Sequence, residues 1–315
     1  MENALKHHGE DPPMASPAEI LELIETWRLL DLPRMDDAGI EEALRELLYG
    51  LRSVSRSTRR IRGIKRIYRA RLKRRRGAQN DANWPWIDSQ HLVHPVGGWV
   101  PLGRCNLSGE SALYCAYDFV TALREIGVEE GDEVVLIGYD LVDADLARVV
   151  GPFNPRRYGS DEPIFEGDEL VSYHIVRDFI RSEFSKPVGT ETRHLYRVSA
   201  AICREWFDES LDGWVYPSVE SPARECLALR DTSVSRRVSI RGATLARVFA
   251  VQGRCFAVEK LKKAIIHEDQ TVHWTPCAAQ SQWVCGCEQP THAVPLPVRH
   301  SPLFDWLKSR FRRVQ

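Results

Sequence analysis

Much is missing from this 315-residue sequence, and each absence closes a route. Formal net charge is −1 with histidine neutral, so the chain as a whole has no bias toward nucleic acid or an anionic membrane. No apolar run approaches the roughly 18 residues that a spanning helix needs. Met1 to Pro17 is polar, with Pro12, Pro13 and Pro17 and no apolar h-region, so a cytoplasmic location is expected. Eight cysteines in a chain this long form no disulfide framework, and Cys115, Cys203 and Cys255 fall in apolar runs, as reduced thiols do. C-x2-C knuckles are absent too. Cys277, Cys285 and Cys287, with His273 and His292 nearby, have a spacing poorly matched to zinc, and His91 and His94 have no acidic or thiol partner close in sequence. No metal is expected, and no nucleophile elbow occurs.

What is present is enough for a packed core: 43% of residues are apolar. Ser16-Pro17-Ala18-Glu19 is a capping box, followed at helical spacing by Ile20, Leu23, Ile24, Trp27 and Leu30. A second helix is expected from about Asp37 to Leu51, making a hairpin with the first. Residues 52 to 76 then hold 13 Lys or Arg in 25 positions. That is either a nucleic-acid footprint or a solvated helix, with Ile61, Ile64 and Ile67 at every third position, feeding a strand over Ile67 to Leu72. The strand's alternation puts Arg69 and Arg71 on one face.

The most informative stretch is Gly103 to Ile126. A polar loop ends at Gly109, and the parity of Ser111 to Tyr117 sends Ala112, Tyr114 and Ala116 to one face of a short strand. Asp118 reads as a helix N-cap. Phe119, Ala122, Leu123 and Ile126 make the buried stripe of the helix that follows, with Glu125 on its flank. Further on come a buried strand over Val134 to Ile137, a long loop from Gly151 to Gly167, and helices over Leu170 to Phe184 and Val198 to Phe207. Val171, Ile175, Phe179 and Ile180 are expected to face inward. Asp212-Gly213 turns into a strand with Trp214 and Tyr216 on one face and Ser218 at its end, and Leu227 to Leu229 is another strand. Val248 to Ala250, Cys255 to Val258 and Thr271 to Trp274 read as short strands, and Leu303 to Arg313 as an amphipathic helix.

Four blocks in this order resemble the RES domain family: Gly103-Arg104-Cys105-Asn106 with Gly109; Leu113-Tyr114-Cys115-Ala116; Thr121-Ala122-Leu123-Arg124-Glu125; and Asp212-Gly213-Trp214-Val215-Tyr216-Pro217-Ser218 before an apolar strand. Ser108 stands where the family loop often has proline, and Cys226 where an asparagine often precedes that strand. The resemblance implies an α+β fold like that of ADP-ribosyltransferases, a split mixed sheet around an NAD cleft with flanking helices, plus the N-terminal helical hairpin. Residues 59–240 would be the domain, 1–58 a helical extension, and 241–315 a β-rich extension.

The activity the resemblance implies is cleavage of NAD to nicotinamide and an ADP-ribose product, as the toxin of a bacterial toxin–antitoxin pair. A small helix-turn-helix antitoxin would be the protein partner, NAD+ the substrate, and no separate cofactor would be needed. The residue types suit the chemistry. A guanidinium clamps pyrophosphate and an aromatic face favours the cationic nicotinamide, jobs for Arg104 and Tyr114. Glycosidic cleavage gains positive charge on the ribose, which a carboxylate, Glu125, stabilises. Ser218 would bond the ribose or the amide, Asn106 and Tyr216 would shape the pocket, and Arg69 would face the nucleotide. Transfer of ADP-ribose to a protein or nucleic acid is an alternative, and nucleic-acid binding through residues 52–76 a further one.

Overall fold

The structure, a computed structural model, describes residues 15–51, 59–60, 66–73, 86–93, 100–142, 148–150, 166–189, 191–206, 211–253 and 255–285. The capping box holds. The Ser16 hydroxyl accepts from Glu19 N–H while Ser16 N–H donates to the Glu19 carboxylate, starting α1 (Pro17–Arg28), which buries Ile20, Ile24 and Trp27. Helix α2 (Asp37–Leu51) buries Ile40, Leu44 and Leu47. The other helices are α3 (Gln90–Val93), α4 (Phe119–Glu125), α5 (Gly167–Ser185), α6 (His194–Trp206) and α7 (Asp231–Arg237). Among the described residues no helix is long and apolar enough to cross a membrane.

The strands are β1 (Arg59–Arg60), β2 (Arg66–Leu72), β3 (Ala112–Ala116), β4 (Glu133–Leu141), β5 (Arg148–Val150), β6 (Gly213–Pro217), β7 (Glu225–Arg230), β8 (Val238–Gln252), β9 (Cys255–Ile266) and β10 (Val272–Cys285). They form one mixed sheet in the order β1-β5-β6-β7-β3-β2-β4-β8-β9-β10, antiparallel at every step except β5–β6. The fold is α+β. Its two halves meet at β2–β3 through a single register pair, Tyr68↔Ala116, whereas β2 and β4 pair along their length from Arg66↔Asp140 to Leu72↔Val134. In the other half, β6 approaches β7 so closely at Gly213 that a Cβ there would lie 2.2 Å from the Ala228 carbonyl oxygen.

Register sorts the side chains. Tyr68, Ala70, Tyr114, Ala116, Trp214, Tyr216 and Ala228 join the core that α1, α2, α4, α5 and α6 complete. Ile67, Leu113, Cys115, Ile137, Tyr139, Val215 and Leu227 form a second core with Trp86, Leu92 and Val234 on the opposite face. The hairpin of α1 and α2 is an outer layer on α5 and α6: Arg197 of α6 pairs with Asp37 and donates to the Met35 carbonyl at 2.7 Å, and Arg204 pairs with Glu41 at 2.9 Å.

Two expectations change. Helix α5 turns Val171 outward, 47% exposed, and half-buries Ile175, while Phe179 and Ile180 are buried as expected, together with Ser172, Tyr173, Val176 and Phe184. The short strands expected after Val238 are long ones, β8 to β10. Register shifts put an extra residue into β9 opposite Leu245/Ala246 and into β8 between Val248 and Ala250, and another interrupts β10 between Pro276 and Gln280, so the alternation breaks into fragments. Strand β8 also runs through residue 240, where it pairs with β4, and is joined by β9 on its other side from Thr244. Upstream, Arg59–Arg60 is a short strand, and 61–65, with Ile61 and Ile64 of the expected helix, lie outside the described residues, as do most of the Gly151–Gly167 loop, His94, Cys287, His292 and the Leu303–Arg313 helix. Among the described residues no group of three His, Cys, Asp or Glu could hold a metal ion.

Candidate active site

Asp118 starts α4 by accepting from Thr121 N–H at 2.8 Å, and the helix lies beside the meeting of the half-sheets, with Phe119 4.0 Å from the Tyr68 ring. Its last residue, Glu125, therefore faces the turn that leaves β6. There Ser218, 1% exposed, donates from Oγ to Glu125 Oε1 at 2.5 Å and accepts from Ser221 N–H at 2.9 Å. The Glu220 N–H also bonds the Glu125 carboxylate.

Burial pushes the Glu125 carboxyl above its ordinary value. The Ser218 hydrogen bond, the Arg104 charge and the Glu220 N–H pull it down, and the neighbouring Glu220 charge adds to the rise. Glu125 is thus a partly desolvated carboxylate whose ionised form is held by two donors and a cation.

Arg104 is 8% exposed, in the loop before β3. It donates to the Phe184 carbonyl at 2.7 Å and the Lys186 carbonyl at 3.2 Å, at the C-terminal end of α5, where a cation meets unsatisfied carbonyls. Its guanidinium also lies 5.2 Å from the Tyr196 ring of α6. A guanidinium has five N–H groups, so these two bonds do not exhaust it.

Tyr114 accepts from Cys105 N–H and donates to Asn106 Oδ1, each at 2.7 Å, and its ring meets Tyr216 edge-on at 6.2 Å. Asn106 in turn donates to the Pro101 and Leu107 carbonyls. Gly103 completes this knot, since a Cβ there would fall 2.4 Å from Asn106 Oδ1 and 2.7 Å from the Tyr114 hydroxyl oxygen. Tyr216, 5% exposed, packs 6.5 Å from Phe184, and burial raises both phenols, Tyr114 and Tyr216, well above their ordinary values.

Arg104, Asn106, Tyr114, Glu125, Tyr216 and Ser218 are therefore brought to one face of one half-sheet. Arg69 is not. Its register partner is Ile137 on the opposite face, and it donates to the Val93 carbonyl at 2.6 Å beside Tyr139. Tyr68, one residue earlier, shares a face with Ala70, Ala116 and Tyr114. The Ser218 hydroxyl donates to Glu125 and accepts from Ser221 N–H, so it orients the carboxylate. Sequence reasoning missed Tyr196, Arg124 and the α5 carbonyls, because each reaches the site from a distant segment with no spacing to mark it.

In chemical terms the site offers a held carboxylate beside a guanidinium, walled by tyrosine rings, and suits a reaction that gains positive charge next to an anionic group. The RES domain family model matches residues 66–246. No curated relative matches the chain.

Proposed function

This chain belongs to the RES domain family, and on that premise we propose that it cleaves the N-glycosidic bond of NAD+, releasing nicotinamide and leaving ADP-ribose on water or phosphate. The observation that carries the reading is the Glu125 carboxylate, bonded by Ser218 Oγ and Glu220 N–H and facing Arg104. Arg104 binds the pyrophosphate with the N–H groups that α5 leaves over. Tyr114 presents its ring to the nicotinamide, its hydroxyl being fixed by Cys105 and Asn106. As the C–N bond breaks, the electron pair leaves with neutral nicotinamide and positive charge develops on the ribose, where Glu125 stabilises it. Ser218 acts through Glu125, keeping its ionised form aimed at the sugar.

The two half-sheets joined at Tyr68↔Ala116 support an ADP-ribosyltransferase-like arrangement of the fold. Membership in the family supports action as a toxin in the cytoplasm that depletes NAD+, restrained by a small helix-turn-helix antitoxin.

The test is to incubate purified protein with NAD+, with and without phosphate, and follow nicotinamide release beside Glu125→Ala. Release by wild type with a loss of about a thousandfold or more in the variant is expected. Phosphate dependence identifies the acceptor, and equal release by folded Glu125→Ala sinks the reading.

A further inference from the structure

The two residues that end α4 grip one residue of the Ser218 turn, Glu220, from both sides. The Glu125 carboxylate takes the Glu220 N–H, while Arg124 Nη1 donates to the Glu220 carbonyl at 3.2 Å and to Ser221 Oγ at 3.3 Å. The other arm of the same guanidinium, Nη2, donates to the Gly253 carbonyl at 2.8 Å. Gly253 opens the tight turn between β8 and β9, at φ +53°, and lies beyond the residues that match the family. The turn is also braced internally, by Ser218 N–H to the Arg224 carbonyl at 3.0 Å and Arg224 N–H to the Ser221 carbonyl at 2.7 Å. Three elements distant in sequence thus meet on one planar, forked cation, a role a lysine ammonium fills poorly.

We propose that Arg124 is a positioning residue for Glu125: by tying the Ser218–Ser221 turn to α4 and to the β8–β9 turn, it keeps Ser218 and Glu220 on the carboxylate. The long hairpin that extends the sheet past residue 246 is then part of the support of the site. This rests on the reading of Glu125 as the carboxylate of N-glycosidic cleavage.

The consequence is electrostatic as well as geometric. Ser218 Oγ–H and Glu220 N–H both favour ionised Glu125, so a turn released from Arg124 raises the carboxyl further. The groups that still face it are Arg104 from the loop before β3, the Glu220 carboxylate, Tyr216 of β6 and Cys226 of β7. Arg104 is the cation among them, and it does not replace two lost donors.

The experiment uses the full chain with Arg124→Ala, Arg124→Met, which keeps the apolar stem, and Arg124→Lys. Rate against pH is measured for NAD+ cleavage, and the Glu125 carboxyl is titrated by carbon-13 NMR, assigned with Glu125→Gln. The Ala and Met variants are expected to lose about 10- to 100-fold in kcat, with KM within about threefold. The acid limb of the profile and the carboxyl titration both move to higher pH, with partial recovery in the Lys variant. An unmoved acid limb and carboxyl titration in folded Ala and Met variants overturns the proposal, as does failure of all three to fold, which makes Arg124 a scaffold residue. If wild type does not cleave NAD+, the reaction reading falls, and the Glu125 titration still decides the role of Arg124.

Discussion

The two faces of the sheet carry the same kinds of residue to different ends. On one, Arg69, Arg71 and Tyr139 reach the carbonyls of Val93, His91 and Leu92, and Arg71 also lies over Trp86 at 4.4 Å. Three long polar side chains are consumed in pinning one short backbone segment. On the other, Arg104 and Tyr114 are also hydrogen-bonded, but Arg104 keeps N–H groups in hand and favours the ionised form of Glu125 against burial, and Tyr114 keeps its ring against Tyr216. An arginine beside a tyrosine therefore says little. What distinguishes the faces is a titratable group to act on.

Paired substitutions sharpen or break this contrast. The largest separation is expected from Arg104→Ala against Arg69→Ala. The first is expected to cut nicotinamide release by about a hundredfold or more, as loss of a preorganised cation does. The second leaves turnover per folded molecule within about threefold and lowers stability in denaturant by about 2 kcal/mol, the worth of a hydrogen bond from a charged group to a carbonyl left without it. A collapse of turnover in folded Arg69→Ala would remove the distinction between the faces.

Next comes Tyr114→Phe against Tyr139→Phe. Losing the Tyr114 hydroxyl frees Asn106 and Cys105 N–H and loosens the Arg104 loop, with an expected tenfold loss of kcat, on the order of what a misplaced group costs. Tyr139→Phe removes a bond to the Leu92 carbonyl, costs about 1 kcal/mol of stability and leaves kcat alone. Equal kcat values for the two variants would argue that the Tyr114 hydroxyl is only a core contact.

The smallest effect concerns stability against pH. The folded-state pKa of Glu125 is raised, so the folded protein holds this proton more tightly than the unfolded chain does. Its contribution is fully present below the unfolded carboxylate range and is lost as pH rises through the folded value. Glu125→Gln removes that loss, so its melting temperature is expected to exceed that of wild type at neutral pH, with the gap closing in acid. A gap that widens in acid would mean that the hydrogen bonds outweigh burial at this carboxyl.

Much of this site was legible in the chain, and the failures have physical causes. The Asp118 cap and the stripe after it place Glu125 at the end of α4, and the parity of β3 puts Tyr114 inward with Ala112 and Ala116. Parity tells which residues of a strand share a face, however, not which face is which. That depends on the pairing of Tyr68 with Ala116, and without it Arg69 is assigned to the wrong side. The partners of Arg124 lie 96 to 129 residues further along, and no local pattern marks them. The exposed charges and parity breaks of β8 to β10 hide their length in the same way.

The register of β8 has a practical consequence. The family match ends at Ala246, in mid-strand, with β4 on one side of β8 and β9 on the other. A protein trimmed to that boundary would end β8 in mid-strand and strip the β9 partners from Thr244, Leu245 and Ala246, leaving bare amides and carbonyls beside Leu245 and Ala246, both buried in the full chain. Such a border recruits strands from other molecules. The hairpin past residue 246 thus guards against self-association, so the boundary of the family is not a place at which this chain can be cut.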